Sequence, residues 1–292
     1  MKQFKMVIIS FLIGFPLLTC IAFLLLVEFL LTPYRQPTQH TPSQWNFAYQ
    51  DITLTTQDGV AISGWYIPGP RLEAMLLVHG IHANREAMSA EAYNLHLAGY
   101  PVVMIDLRGH GDSGYSHLTY GYKEAYDVTA AIDYMSGLPE IKQIGVMGHS
   151  LGGAAVVRAV AHDDRVKLLI IQSSYNSLNE GIDDAFNNFV PLPKWPFAPM
   201  ITYFAELRTG IDVRQMDSAR DLATMRPRPL LIIHGKQDPM FPIAHARRMF
   251  AAAPEPKYLW EVDNLVHLNV AIVYPQAFNE KVLLFLQEAF AH

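Results

Sequence analysis

The chain has 292 residues, 51% of them hydrophobic and 17% charged, with a formal net charge of −5. That length suits one large domain with an ample buried core, and the negative balance without a basic stripe speaks against a nucleic-acid partner. A single cysteine, Cys20, excludes an intrachain disulfide framework.

From Met6 to Val27 there is no charged residue. As a helix this run would reach about 33 Å, enough to span a bilayer core. Pro16 inside it is tolerated in a membrane helix. The run is longer than a signal-peptide core and no A-x-A-like site follows, so the pattern predicts an uncleaved single-pass signal anchor over residues 1–31. Lys2 and Lys5 precede the run and only Arg35 follows closely. The positive-inside rule therefore puts the bulk of the chain in an extracytoplasmic position. Residues 32–46, with Pro33, Pro37 and Pro42 among polar neighbours, read as an extended, semi-rigid linker.

A regular domain is expected over residues 47–292. Asp51–Thr56 alternates polar and apolar like a half-buried strand, Gln57-Asp58-Gly59 marks a turn, and Val60–Ile67 reads as the returning strand of a hairpin. Ala74–Val78 and Pro101–Ile105 are continuous apolar runs, as expected of strands buried on both faces in a parallel sheet. Helices are predicted over about 85–98 and 122–135. Further strands are expected at 141–147, 166–171, 229–234 and 258–262. Helices are expected after Ser150, at about 243–252 and over 270–289. Buried strands alternating with helices mean a mostly parallel sheet with helices on both faces, and an antiparallel hairpin at one edge. In such a sheet the site lies at the carboxyl ends of the strands. Residues 176–228 interrupt the alternation with four prolines between 191 and 199 and with Phe186, Phe189, Trp195, Phe197, Tyr203 and Phe204. The aromatics argue against disorder, and the segment reads as a helical cap over the strand ends.

The chain is organised around Gly148-His149-Ser150-Leu151-Gly152. A strand-like run enters this G-x-S-x-G pattern and a helix-like run leaves it, which is the context that lifts a serine hydroxyl above a sheet. A serine needs a base oriented by an acid. Asp238 follows a buried strand in the turn Gly235-Lys236-Gln237-Asp238, and His267 sits in the loop after the last strand. By itself Asp238 reads as a turn or helix-capping residue and His267 as an exposed loop residue. The chain order Ser150, Asp238, His267 makes them the acid and the base. His79 and His234 end buried strands near the same edge; His40, His96, His245 and His292 have ordinary placements.

Over about residues 50–290 the chain resembles the α/β-hydrolase family, and within it the membrane-anchored, serine-esterase-like members. The resemblance rests on His79-Gly80, on Asp106-Leu107-Arg108-Gly109-His110-Gly111-Asp112-Ser113, on the Gly148–Gly152 elbow, on Gly235–Asp238 and on His267, in that order. It implies the α/β-hydrolase fold, with backbone N–H groups of Ile81 and Leu151 forming an oxyanion hole. It also implies that Arg108 and His110 fix their loop rather than bind a ligand. Ser150 excludes the haloalkane chemistry of members with aspartate at that position. Ile81-His82 after Gly80 departs from the three-glycine motif of some lipases, and His82 is expected to be solvated. The resulting expectation is a serine hydrolase for a small-molecule acyl substrate, cleaving carboxylic esters through an acyl-enzyme, with no cofactor and no metal. An amide or peptide hydrolase on the same fold, or a disabled membrane-tethered binding protein, are the alternatives. The sequence leaves the oligomeric state open.

Overall fold

A computed structural model describes residues 2–291, with side chains at residue 14 and from residue 17 to 291. The chain begins with helix α1 (Lys2–Leu31). Among the described residues no helix is long and apolar enough to cross a membrane. The first half of the expected span, Met6 to Pro16, lies outside the described side chains except for Gly14. The described half of α1 has two apolar faces. Phe23, Val27 and Leu31 are buried, whereas Leu18, Ile21, Leu25 and Phe29 are exposed.

Residues 32–46 are extended up to a short 3-10 turn at Pro42–Trp45. The segment lies along the domain rather than hanging free of it. The Tyr34 N–H donates to His82 Nδ1 (3.0 Å), Gln36 Nε2 donates to the His82 carbonyl (2.7 Å), and the Arg35 guanidinium donates to the carbonyls of Gly111 and Ser113. An extended backbone pairs its polar groups wherever partners exist, and here the core supplies them.

Strands β1 (Gln50–Thr55) and β2 (Ala61–Ile67) form the expected antiparallel hairpin, with β2 antiparallel to β4 (Val102–Ile105). From there the sheet is parallel through β3 (Glu73–Val78), β5 (Gln143–His149), β6 (Val166–Gln172), β7 (Leu230–Gly235) and β8 (Lys257–Val262), in the order β1-β2-β4-β3-β5-β6-β7-β8. The continuous apolar runs are the central strands because both sheet faces are covered. Leu76 and Val78 of β3 join one core with helices α3 (Glu124–Ser136), α4 (Leu151–Val160) and α8 (Ala244–Ala252). Met75 and Leu77 of the same strand join a second core with α2 (Ser89–Leu97) and α10 (Pro275–Ala291).

Between β6 and β7 lie α5 (Leu178–Asn188), α6 (Lys194–Thr209), a 3-10 turn at Val213–Gln215 and α7 (Ser218–Thr224). The aromatic-rich insertion is therefore helical. Two boundaries differ from expectation. The residues from 85 to 88 are a 3-10 turn before α2. The last predicted helix is two, α9 (Val270–Val273) and α10, because Pro275 has no N–H to continue the first and instead starts the second.

Candidate active site

The strand order fixes where a site can form. After β3 the chain crosses to β4 on one side and then returns to β5 on the other. The crevice outside the carboxyl ends of β3 and β5 is a topological switch point, where ligands bind in open α/β sheets. Val78 is paired with Gly148, so Ile81 and Ser150, three and two residues further on, emerge side by side.

Ser150 is held at φ 53°, ψ −118°, outside the regions L-residues favour. Such a backbone costs about 1–3 kcal/mol and persists only where neighbours over-determine it. Here they do. The Ser150 N–H donates to the Gln172 carbonyl (2.9 Å), and its own carbonyl accepts from Ser174 Oγ (2.8 Å). The flanking glycines are required by contact. A Cβ on Gly148 would lie 2.4 Å from the Gly152 carbonyl oxygen, and one on Gly152 would lie 2.4 Å from that of Val78. Helix α4 starts at the next residue. Its first N–H, from Leu151, and that of Ile81 have no protein acceptor among the described residues, which is the disposition an anion at the helix N-terminus would need.

The three residues singled out from the sequence meet. His267 Nε2 lies 2.9 Å from Ser150 Oγ, and His267 Nδ1 lies 2.7 Å from Asp238 Oδ2. The carboxylate accepts a hydrogen bond from Nδ1–H, which leaves Nε2 as acceptor for the serine hydroxyl. Asp238 is fixed independently, since its Oδ1 accepts from the N–H groups of Met240 (2.9 Å) and Phe241 (3.0 Å). Burial pushes its carboxyl up, but the hydrogen bond and charge of His267 and the Phe241 N–H outweigh that and hold it below the ordinary value. Asp238 is thus both turn residue and partner of His267. The two readings of that residue are not exclusive.

The surroundings explain several other sequence features. His79 Nε2 accepts from the Leu107 N–H (3.0 Å), and burial holds its imidazole down at about 4. Arg108 is gripped by Asp127 and Asp58, and His110 Nε2 accepts from the His82 N–H (3.1 Å). Both act on the loop's shape. His82 is exposed, and it also accepts from the Tyr34 N–H and borders a cavity. His234 donates to the Phe241 carbonyl (2.8 Å). Phe241 itself was not singled out by the sequence, yet its ring centroid lies 5.5 Å from that of His267. His149 was passed over as the variable residue of the elbow. It is half-buried with its ring 5.3 Å from His267, and desolvation followed by that neighbour holds it at about 3.

Beside this group lies a cavity of about 380 Å³. Ile81, which follows β3, and Phe241, whose ring lies against that of His267, both line it, and α5 and α6 supply much of the rest. Among the described residues, no Asp, Glu, Lys or Arg lines it. Three of its lining residues, Val27, Leu30 and Leu31, come from α1. No local signal in the sequence pointed to them.

The sheet order and the elbow at Ser150 together have the architecture of the α/β-hydrolase fold. The family model described as alpha/beta hydrolase fold matches residues 73–216 of this chain. Curated relatives include the uncharacterized protein YqkD of Bacillus subtilis, 26% identical over 72% of this chain and 70% of its own length. The alpha/beta hydrolase domain-containing protein WAV2 of Arabidopsis thaliana is 28% identical over 85% of this chain and 82% of its own. Among solved structures, the esterase Pf2001 of Pyrococcus furiosus superposes with a TM-score of 0.75 at 27% identity, covering 89% of this chain and 98% of that one.

Proposed function

We propose that the chain is a serine hydrolase that cleaves carboxylic esters. The observation that carries this reading is the hydrogen-bonded series Asp238–His267–Ser150 beside an uncharged cavity. His267 Nε2 takes the hydroxyl proton as Ser150 Oγ attacks the acyl carbonyl, and Asp238 stabilises the imidazolium that forms. The Ile81 and Leu151 N–H groups hold the oxyanion; one such donor is worth about 100- to 1000-fold in kcat. The imidazolium then protonates the leaving alcohol as the C–O bond breaks. Water, deprotonated by the same histidine, attacks the acyl-enzyme and releases the acid. Similarity to a Pyrococcus furiosus esterase agrees with an ester as substrate.

The chain is further read as tethered to a membrane by residues 6–27, with the hydrolase domain extracytoplasmic. Support comes from the uncharged run in the sequence and from the exposed apolar stripe Leu18, Ile21, Leu25 and Phe29 on α1. Carbonate extraction of cell membranes tests the tether: the chain should stay in the pellet, and release into the supernatant contradicts it.

The ester reading is tested with the full chain and matched p-nitrophenyl ester and p-nitroanilide amide substrates of one acyl group. Ester hydrolysis should exceed amide hydrolysis by orders of magnitude. Turnover of the amide at an equal or greater rate would transfer the assignment to amide hydrolysis.

A further inference from the structure

The end of α1 is built into the domain by specific bonds, not laid against it. Helix C-terminal carbonyls lack intrahelical partners. Here the Leu31 carbonyl accepts from the Leu118 N–H (2.7 Å) and the Leu30 carbonyl from Tyr120 Oη (3.1 Å). One turn earlier, the Glu28 carboxylate joins His117 Nε2 (2.7 Å) on the core to Arg208 Nε (3.0 Å) on α6. Phe23 stacks on Phe197 and Phe204 of α6, with centroids 5.9 and 6.3 Å apart. Core loop, cap helix and α1 therefore hold one another. Val27, Leu30 and Leu31, at spacings of three and four, share the helix face turned into the cavity.

We infer that the last two turns of α1 are a specificity wall of the acyl site, and that the substrates carry a medium- to long-chain fatty acyl group lying against Val27 and Leu30. The inference rests on the reading of Ser150 as acyl acceptor. An acyl carbonyl bonded to Ser150 and held by the Ile81 N–H has its chain starting where Ile81 borders the cavity. A fatty chain has nothing to hydrogen-bond and meets no charged side chain there. At roughly 30 Å³ for each water-sized group, a volume of about 380 Å³ holds on the order of a dozen such groups, far more than an acetyl group fills. An apolar pocket that exceeds a short chain leaves unused burial, and each further methylene removes more apolar surface from water. Longer chains therefore gain until the wall is met. The segment that the sequence marks as an anchor is then also part of the binding site. The strap that follows it holds His82, next to the Ile81 donor, through Tyr34 and Gln36.

The test compares the full chain, purified in mild detergent, with Leu30→Trp and Leu30→Ala on p-nitrophenyl acetate and dodecanoate. The wild type should favour dodecanoate in kcat/KM. Leu30→Trp should lower the dodecanoate-to-acetate ratio by at least about tenfold, the scale on which apolar pockets discriminate. Leu30→Ala, which cannot overfill the wall, should move the preferred chain length upward. A ratio unchanged in both variants overturns the wall. A wild type that cleaves acetate and not dodecanoate overturns the fatty-acyl assignment while leaving ester hydrolysis standing. A wild type that cleaves neither ester and takes no fluorophosphonate label overturns the ester reading itself.

Discussion

Replacing Asp238 by Asn separates the chemistry of the site from its shape. The side chain keeps its volume, and an Asn oxygen can still accept from the Met240 and Phe241 N–H groups at the position Oδ1 occupies, 2.9 and 3.0 Å from them. The amide –NH2 is then presented to His267 Nδ1, where a carboxylate oxygen lies 2.7 Å away. A donor facing Nδ1 forces the imidazole to carry its proton on Nε2. That nitrogen then points an N–H at Ser150 Oγ, at 2.9 Å, and has no lone pair to take the hydroxyl proton. The variant also lacks the negative charge that stabilises the imidazolium. A carboxylate-to-amide change with this tautomer effect costs about 10⁴ in kcat, or about 5 kcal/mol of barrier at 1.36 kcal/mol for each factor of ten. The assay is kcat on an ester the wild type turns over, at pH 7, with a thermal melt alongside. The account expects kcat down by three to four orders of magnitude, to within about a factor of ten of 10⁴, and a melt within a few degrees of the wild type. Activity within tenfold of the wild type with an intact melt would refute the assignment of Asp238 as partner to the base.

Other consequences concern the frame around the site. Gly152→Ala should fold poorly or lose about 1–3 kcal/mol or more, because the new Cβ meets backbone oxygens of Val78 and His79 at 2.4 and 2.5 Å. Gly181→Ala, whose Cβ first meets Phe241 Cε1 at 3.5 Å on helix α5, should be neutral or stabilising in the same denaturation measurement. Burial raises the Glu91 carboxyl to about 7 from 4.5, outweighing the lowering effect of its own backbone N–H and of Asn269. The folded state therefore holds a proton that the unfolded chain releases above pH 4.5, so this group costs stability as pH rises from about 4.5 to 7. Glu91→Gln should stabilise by up to about 3 kcal/mol at pH 8 and by little at pH 4.5; an equal effect at both pH values would contradict the linkage. His79, His110 and His149 have the opposite sense, held by burial at about 4, 4 and 3 against an ordinary 6.5. Below pH 6.5 the unfolded chain takes up protons these three refuse; they outnumber the two held by Glu91 and by Asp127, which burial likewise raises to about 7, so Tm should fall from pH 7 to pH 5. A flat Tm across that interval would mean that these imidazoles are not buried neutral.

The parts of this molecule that could be read in the sequence are those specified by neighbours along the chain. The doubly apolar runs became β3 to β7, and the residue types around Ser150 are dictated by a turn in which Gly148 and Gly152 touch backbone. Asp238 and His267 were reachable because each follows a strand, and the strand order brings their loops to one edge. What escaped has no local period. Phe241 and His149 matter through their distance from His267, and one lies 26 residues from it in the chain while the other lies 118 away. The strap of residues 34–40 is extended and polar, as a free linker would also be; only the acceptors on the core distinguish the two. The described half of α1 is apolar on two faces, and hydrophobicity alone does not tell the face covered by the cap from the face left open. The break before Pro275 was legible in principle, since a proline cannot continue a helix through its missing N–H.

The central claim is that Ser150 is the acyl acceptor. The most direct measurement is to treat the full chain with a fluorophosphonate, digest it and locate the adduct by mass spectrometry. The account predicts a single stoichiometric adduct on the peptide containing Gly148-His149-Ser150-Leu151-Gly152, abolished by Ser150→Ala and slowed by prior incubation with substrate. An adduct on another serine, or labelling that survives Ser150→Ala, would contradict it.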